Sequence, residues 1–104
     1  VYVMEDLTGI TGNSYVVVDL QKIKRNVEKI RAHIGENVKF LPVLKGATCG
    51  HGLEEIAEFL VSECQFDMLC VGHTIEAERI RNFGVNCDIL VLGGTPFNNI
   101  PYIA

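Results

Sequence analysis

No uninterrupted apolar run in this chain approaches the ~18 residues needed to cross a bilayer. No basic, apolar, small-residue leader opens it either. Both absences point to a soluble, cytoplasmic setting with no membrane contact in this segment. Positive charge is scarce: nine Lys and Arg stand against thirteen Asp and Glu, a formal net charge of −4. With no basic patch interleaved with aromatics, nucleic acid is excluded as a partner class. The four cysteines, Cys49, Cys64, Cys70 and Cys87, form no C-x-x-C pair and no zinc-like spacing. They read as reduced, buried or half-buried thiols. There is no repeat and no low-complexity segment. Neither a G-x-G-x-x-G fingerprint nor an acidic phosphoacceptor cluster occurs, which argues against an independent flavodoxin-like ligand domain.

What is present is apolar. Of 104 residues, 48% are hydrophobic, enough for one domain with one modest core. So greasy a composition suits strands buried on both faces, or apolar surface meant for a partner. Tyr15 to Val18 form an apolar run leading into Asp19, a helix N-cap. Ile23, Val27, Ile30 and Ile34 then recur at helical spacing, and Gly35 is a fitting stop. Val38 to Leu44 read as a second strand. Leu53, Ile56, Ala57, Leu60 and Val61 mark a second helix, with acidic residues in its first turn where the helix dipole favours them.

Asp67 to Val71 read as a third strand. Thr74 is expected to cap a third helix, buried through Ala77, Ile80 and Phe83 and ended by Gly84. Asp88 to Leu92 form a fourth strand. Unbroken apolar strands alternating with amphipathic helices imply a parallel sheet covered by helices. The first fourteen residues stand apart as a strand or linker segment, with turn-like residues from Thr8 to Asn13. Pro42 has no N–H for a sheet ladder, so its strand carries a bulge or a free edge.

Lys45 closes the run Phe40-Leu41-Pro42-Val43-Leu44 and opens a glycine-punctuated loop, Gly46-Ala47-Thr48-Cys49-Gly50-His51-Gly52. A lone amine at the carboxyl end of a buried parallel strand sits where α/β proteins place their chemistry. It suggests a lysine presented to a carbonyl cofactor. His51, between two glycines, is expected to hydrogen-bond nearby backbone and orient the loop. His33 and His73 read as solvated or capping residues. Glu76 and Arg81 read as solvated or packing residues on the outer layer.

The decapeptide Val43-Leu44-Lys45-Gly46-Ala47-Thr48-Cys49-Gly50-His51-Gly52 resembles the signature of alanine racemases, commonly V-V-K-A-N-A-Y-G-H-G. Val18-Asp19-Leu20 with Ile23 and Asn26 resembles that family's V-D-L-x-x-I-x-x-N. Val71, Glu76-Ala77, Arg81 and Gly84 are similar to its V-A-x-x-x-E-A-x-x-L-R-x-x-G stretch, and Ile89-Leu90-Val91-Leu92-Gly93 to its I-L-V-L-G strand. The resemblance spans about residues 15 to 95 in four segments in order.

The resemblance implies a pyridoxal 5′-phosphate-dependent racemase built on a TIM barrel with a second, β-rich domain. Residues 15–104 would be the N-terminal half of that (β/α) barrel and 1–14 the segment before it. Lys45 would be the Schiff-base lysine and the base on one face of a small amino-acid substrate, L- or D-alanine or serine. The product would feed cell-wall peptidoglycan. Cys49 stands where the family's phosphate-binding tyrosine is found, and its weaker donor is expected to loosen cofactor anchoring. Leu92 matches a residue lining the cofactor pocket. A barrel needs roughly 250 residues, and the family's tyrosine second base comes from the neighbouring subunit's C-terminal domain. The chain is therefore expected to be a fragment, weakly active or inactive alone, and a homo-oligomer. The alternative is a non-catalytic half-barrel interaction module or a pyridoxal-phosphate-binding protein.

Overall fold

A computed structural model of the chain describes residues 2–3 and 15–103. The expected turn over Thr8 to Asn13 lies outside the described residues. Asp19 caps the first helix as its sequence predicts: its Oδ1 accepts the Lys22 N–H at 3.1 Å, and α1 runs Leu20–Ile34. At the far end the Gly35 N–H closes onto the Arg31 carbonyl, with φ +79° at the glycine. Only Val27 of the expected stripe is fully buried. Ile23 packs against the core from the side, whereas Ile30 stays exposed.

Among the described residues the strands fall into two sheets and not one of four strands. β2 (Val17–Val18) pairs in parallel with β1 (Tyr2–Val3), in the register Tyr2↔Val17 and Val3↔Val18. A second, three-stranded parallel sheet has the order β3-β4-β5, from Val43–Leu44, Met68–Val71 and Asp88–Val91. The run from Tyr15 to Val18 is therefore corrected: it lies outside the sheet that carries Lys45. The strand expected from Val38 shrinks to two residues, because Pro42 joins the ladder only through its carbonyl, which accepts the Cys70 N–H at 2.9 Å. Among the described residues β3 is an edge strand, the free-edge alternative that Pro42 left open.

Helices cover one face of this sheet. α3 (Leu53–Ser62) and α4 (Thr74–Asn82) follow β3 and β4 and pack on each other. Leu53, Ile56, Ala57 and Leu60 of α3 and Ile80 of α4 meet Leu44, Leu69 and Val71 in one core, with Ile89 and Val91 at its margin. Leu69 and Val71 are 0% exposed. An ion pair of 2.7 Å between Arg79 and Glu54 links the two helices at their outer surface. Phe66, just before β4, meets Phe40 edge-on at 5.0 Å and carries the Arg31 guanidinium 4.4 Å above its ring.

Strand pleating sends the intervening side chains to the opposite face. There Val43, Leu90 and Leu92 are 50, 41 and 56% exposed. The sheet is thus covered by helices on one side, while on the other Cys70 of the central strand is buried and the apolar side chains of the two flanking strands stay half exposed. A 3₁₀ helix, Phe97–Tyr102, follows β5, and Asn99 Nδ2 donates to Thr74 Oγ1 at 3.2 Å. α4 begins one residue earlier than expected, since His73 is its N-cap and Thr74 its first helical residue. Phe83, expected in the buried face, is instead the exposed C-cap.

Candidate functional site

The carboxyl ends of the three strands come together. The pairs Leu44↔Val71 and Val71↔Val91 set Lys45, Gly72 and Leu92 as the next residues out of the sheet. The ladder continues past β5, since the Leu92 N–H donates to the Val71 carbonyl and the Gly93 N–H to the Gly72 carbonyl, both at 2.9 Å. Lys45 follows the buried Leu44, so pleating turns its stem toward the bare face, and it is exposed. Leu92 is exposed on that same face two strands away, on the order of 10 Å across at about 4.8 Å per strand.

After Lys45 the chain makes a single tight turn, α2 (Gly46–Cys49), of unusual hand. Gly46, Thr48 and Cys49 have φ of +57°, +55° and +57°. Thr48 and Cys49 carry β-carbons, and each residue held there costs roughly 1–2 kcal/mol. A β-branched residue at positive φ is rarer still. Such strain persists where surrounding contacts over-determine it. The Thr48 N–H donates to the Lys45 carbonyl at 3.0 Å. His51 closes the far side, its backbone N–H and its Nδ1 both reaching the Thr48 carbonyl, at 3.2 and 2.6 Å. His51 thus orients the loop through backbone, as expected. Cys49 is exposed on this turn, four residues beyond Lys45.

Glu76 departs from expectation. Of the solvated or packing roles expected on the outer layer it takes neither plainly: it is 8% exposed, the buried charged residue of the described core. Its Oε1 accepts the Gly46 N–H at 2.8 Å, and its Oε2 accepts the N–H groups of Gly72 and His73 at 2.8 and 3.0 Å. Burial alone would raise its pKa. The hydrogen bonds from His73, Gly46 and Gly72, with the nearby His73 charge, outweigh burial and hold the carboxyl below the ordinary range. The signal was legible as a helix-start pattern, an N-cap followed three residues later by glutamate. Placing the cap at Thr74 instead of His73 hides it. Arg81 is exposed and donates from Nη1 to the Val85 carbonyl at 3.1 Å.

Burial pushes the Cys64 and Cys87 thiols up, the latter against the opposing pull of Arg81. Neither is poised as a thiolate. Among the described residues, no group of three His, Cys, Asp or Glu is placed to hold a metal ion. No helix of the described residues is long and apolar enough to cross a membrane.

A carbonyl cofactor is tested against these residues by what they offer. The exposed Lys45 amine, a side-chain-free Gly72 beside its stem and the apolar Leu92 fit the covalent end and one wall of such a group. Cys49 offers a weak thiol donor beside it.

Comparison with known proteins is consistent in kind. The family model "Alanine racemase, N-terminal domain" matches residues 18–104. An alanine racemase of Streptococcus uberis is 37% identical over 84 residues, which are 81% of this chain and 22% of that protein. Alanine racemase 1 of Caldanaerobacter subterraneus is 40% identical over 81 residues, 78% of this chain and 21% of that one. Among solved structures, alanine racemase of Clostridium difficile superposes with a TM-score of 0.83 at 30% identity, over 89% of this chain and 25% of that chain. The same protein in complex with cycloserine gives 0.80 at 31%. The chain therefore spans about a fifth to a quarter of the length of the relatives it matches.

Proposed function

The chain belongs to the alanine racemase N-terminal domain family, and we propose that it supplies the cofactor lysine of a pyridoxal-phosphate-dependent amino-acid racemase, with Lys45 as that lysine. The observation that carries this reading is the exposed Lys45 amine at the carboxyl end of an edge barrel strand, on a strained turn within the matched segment. Residues 15–104 are read as an N-terminal portion of the barrel, with residues 1–14 as a preceding segment.

In this reading Lys45 Nζ would hold the cofactor at rest and, once released from it, would take or return the α-proton on one face of the substrate. Leu92 gives the bound group an apolar wall, and Cys49 a weak contact toward its phosphate. Pyridoxal phosphate, when bound, supplies the electron sink that stabilises charge left at the α-carbon. The substrate is a small amino acid, a class that the cycloserine complex of the Clostridium difficile relative supports. Alanine destined for peptidoglycan, a cytoplasmic setting and a homo-oligomeric whole protein complete the proposal. The 104 residues by themselves are expected to be weakly active or inactive, because binding and preorganisation would fall to parts of the protein beyond them.

The experiment is reduction with borohydride in the presence of pyridoxal phosphate, followed by peptide mapping. Attachment at Lys45 above all other lysines supports the reading, and an adduct spread over the exposed lysines defeats it. A second reading, a non-catalytic half-barrel module, is favoured by the bare apolar face of Val43, Leu90 and Leu92. The same labelling separates the two.

A further inference from the structure

Three peptide groups from two different strand-to-helix connections converge on one carboxylate. Gly46 N–H follows β3, and Gly72 and His73 N–H follow β4; Glu76 accepts all three within 3.0 Å. The Gly46 contact crosses 30 residues of sequence. Its consequence for Lys45 is geometric. The Lys45–Gly46 peptide is planar, and the Lys45 Cα lies in that plane. With the strand holding one side of Lys45 and Glu76 anchoring the peptide on the other, φ and ψ of Lys45 are set together, and φ sets the direction in which the lysine stem leaves the strand.

Gly72 completes the arrangement. A β-carbon there would lie 3.2 Å from Glu76 Oε2 and 3.4 Å from the Lys45 β-carbon. The glutamate and the lysine stem thus lie against the same bare backbone. The turn behind Lys45 is strained at Thr48 and Cys49, so without an external hold it has a local incentive to relax. A carboxylate taking several N–H bonds is a strong hold, since charge-assisted bonds are roughly twice as strong as neutral ones.

We propose that Glu76 is the positioning residue of Lys45: by clasping Gly46, Gly72 and His73 it locks the lysine's backbone and aims its amine over the bare end of the sheet. This deepens the reading of Lys45 as the cofactor lysine and rests on it for its chemical consequence. The clasp itself does not rest on that reading.

Two measurements on the same proteins test it. Amide exchange reads the clasp, and the share of pyridoxal phosphate reductively fixed on Lys45 reads the aim. In Glu76→Ala, exchange at Gly46, Gly72 and His73 is expected to accelerate at least tenfold, while Leu69 and Val71 in β4 stay protected. Lys45 labelling is expected to fall to the level of exposed lysines such as Lys22, Lys29 and Lys39. Glu76→Gln has one acceptor oxygen. Directed at Gly72 and His73, it presents its NH2 to the Gly46 N–H, so Gly46 alone loses protection and Lys45 selectivity still falls.

Unchanged Gly46 exchange in the glutamine variant would overturn the clasp. Gly46 deprotection with Lys45 selectivity intact, at an unchanged melting temperature, would overturn the aiming role. If Glu76→Ala fails to fold by circular dichroism, the glutamine variant decides. If the unsubstituted chain labels its lysines indiscriminately, the cofactor reading of Lys45 falls. Exchange at Gly46 then decides the clasp alone.

Discussion

Gly93 lies so close over Gly72 that its N–H donates to the Gly72 carbonyl at 2.9 Å, and a β-carbon on Gly93 would collide with that same oxygen. The added carbon would also fall 3.1 Å from His73 Nδ1. The two glycines thus carry the β4–β5 ladder one step past the last paired side chains, into the end of the sheet where Lys45 emerges.

Gly93→Ala is therefore expected to destabilise the chain by about 2 kcal/mol or more, since the obstacle is backbone and cannot swing aside. Gly94→Ala is the control. A β-carbon there meets nothing within 4 Å, and the change is expected to stay within about 0.5 kcal/mol of neutral. Urea unfolding of both variants checks the pair.

Much of this end of the fold was legible in the chain. The run Val43-Leu44-Lys45 followed by glycines placed the amine at a strand end, and Pro42 left that strand either a bulge or a free edge, of which the pairing shows the edge. Asp19 and Gly35 set the bounds of α1. The partner of Val17–Val18 was not legible, because an apolar strand reads alike in either sheet; tertiary pairing, not periodicity, chose Tyr2–Val3. Glu76 was missed because a glutamate on an amphipathic helix is ordinarily solvated. A helix-start pattern reports only the local His73 contact; the Gly46 donor comes from the other strand-to-helix connection, which no local pattern reports.

The Glu76 carboxyl, held below its ordinary range, gives a sign for acid sensitivity. A carboxylate whose folded pKa is depressed contributes stability that is fully present above the unfolded value, about 4.3, and lost as pH falls through the lowered folded value. The stability difference between the unsubstituted chain and Glu76→Gln is expected to be at its full size at about pH 5.5. It should then shrink as the pH drops below about 4.3. Denaturant melts at pH 7, 5, 4 and 3 measure it. A difference that stays flat to pH 3 would mean the clasp does not depend on the charge.

Cys49 is exposed and already holds positive φ. Tyrosine in its place meets the same backbone requirement, so Cys49→Tyr is expected to leave folding nearly unchanged. Under the proposed function it restores a hydroxyl toward the phosphate. One hydrogen bond to a charged acceptor is worth about 1.5–3 kcal/mol, or tenfold and more in affinity. Absorbance titration with pyridoxal phosphate reads the gain. Unchanged affinity would mean that the hydroxyl does not reach the phosphate from this turn.

Val43, on β3, and Leu90 and Leu92, on and just past β5, stand half exposed on the two edge strands of the face opposite the helices. Parallel edges present unpaired N–H and C=O groups that invite strand addition. Burying ~400 Å² of apolar surface per chain is worth on the order of 10 kcal/mol at ~25 cal/mol per Å², before the entropic cost of association. The 104-residue chain is therefore expected to associate as concentration rises. Leu90→Lys puts a charge on the half-exposed apolar part of that face, on β5, where the native side chain is 41% exposed and its loss costs the covered core little. Light scattering across a dilution series is expected to show association in the parent chain and a shift toward monomer in the variant. A parent chain that stays monomeric at high concentration would mean the bare face is satisfied within the chain itself. An association unmoved by Leu90→Lys would put the contact at the strand edges, away from the side chains of that face.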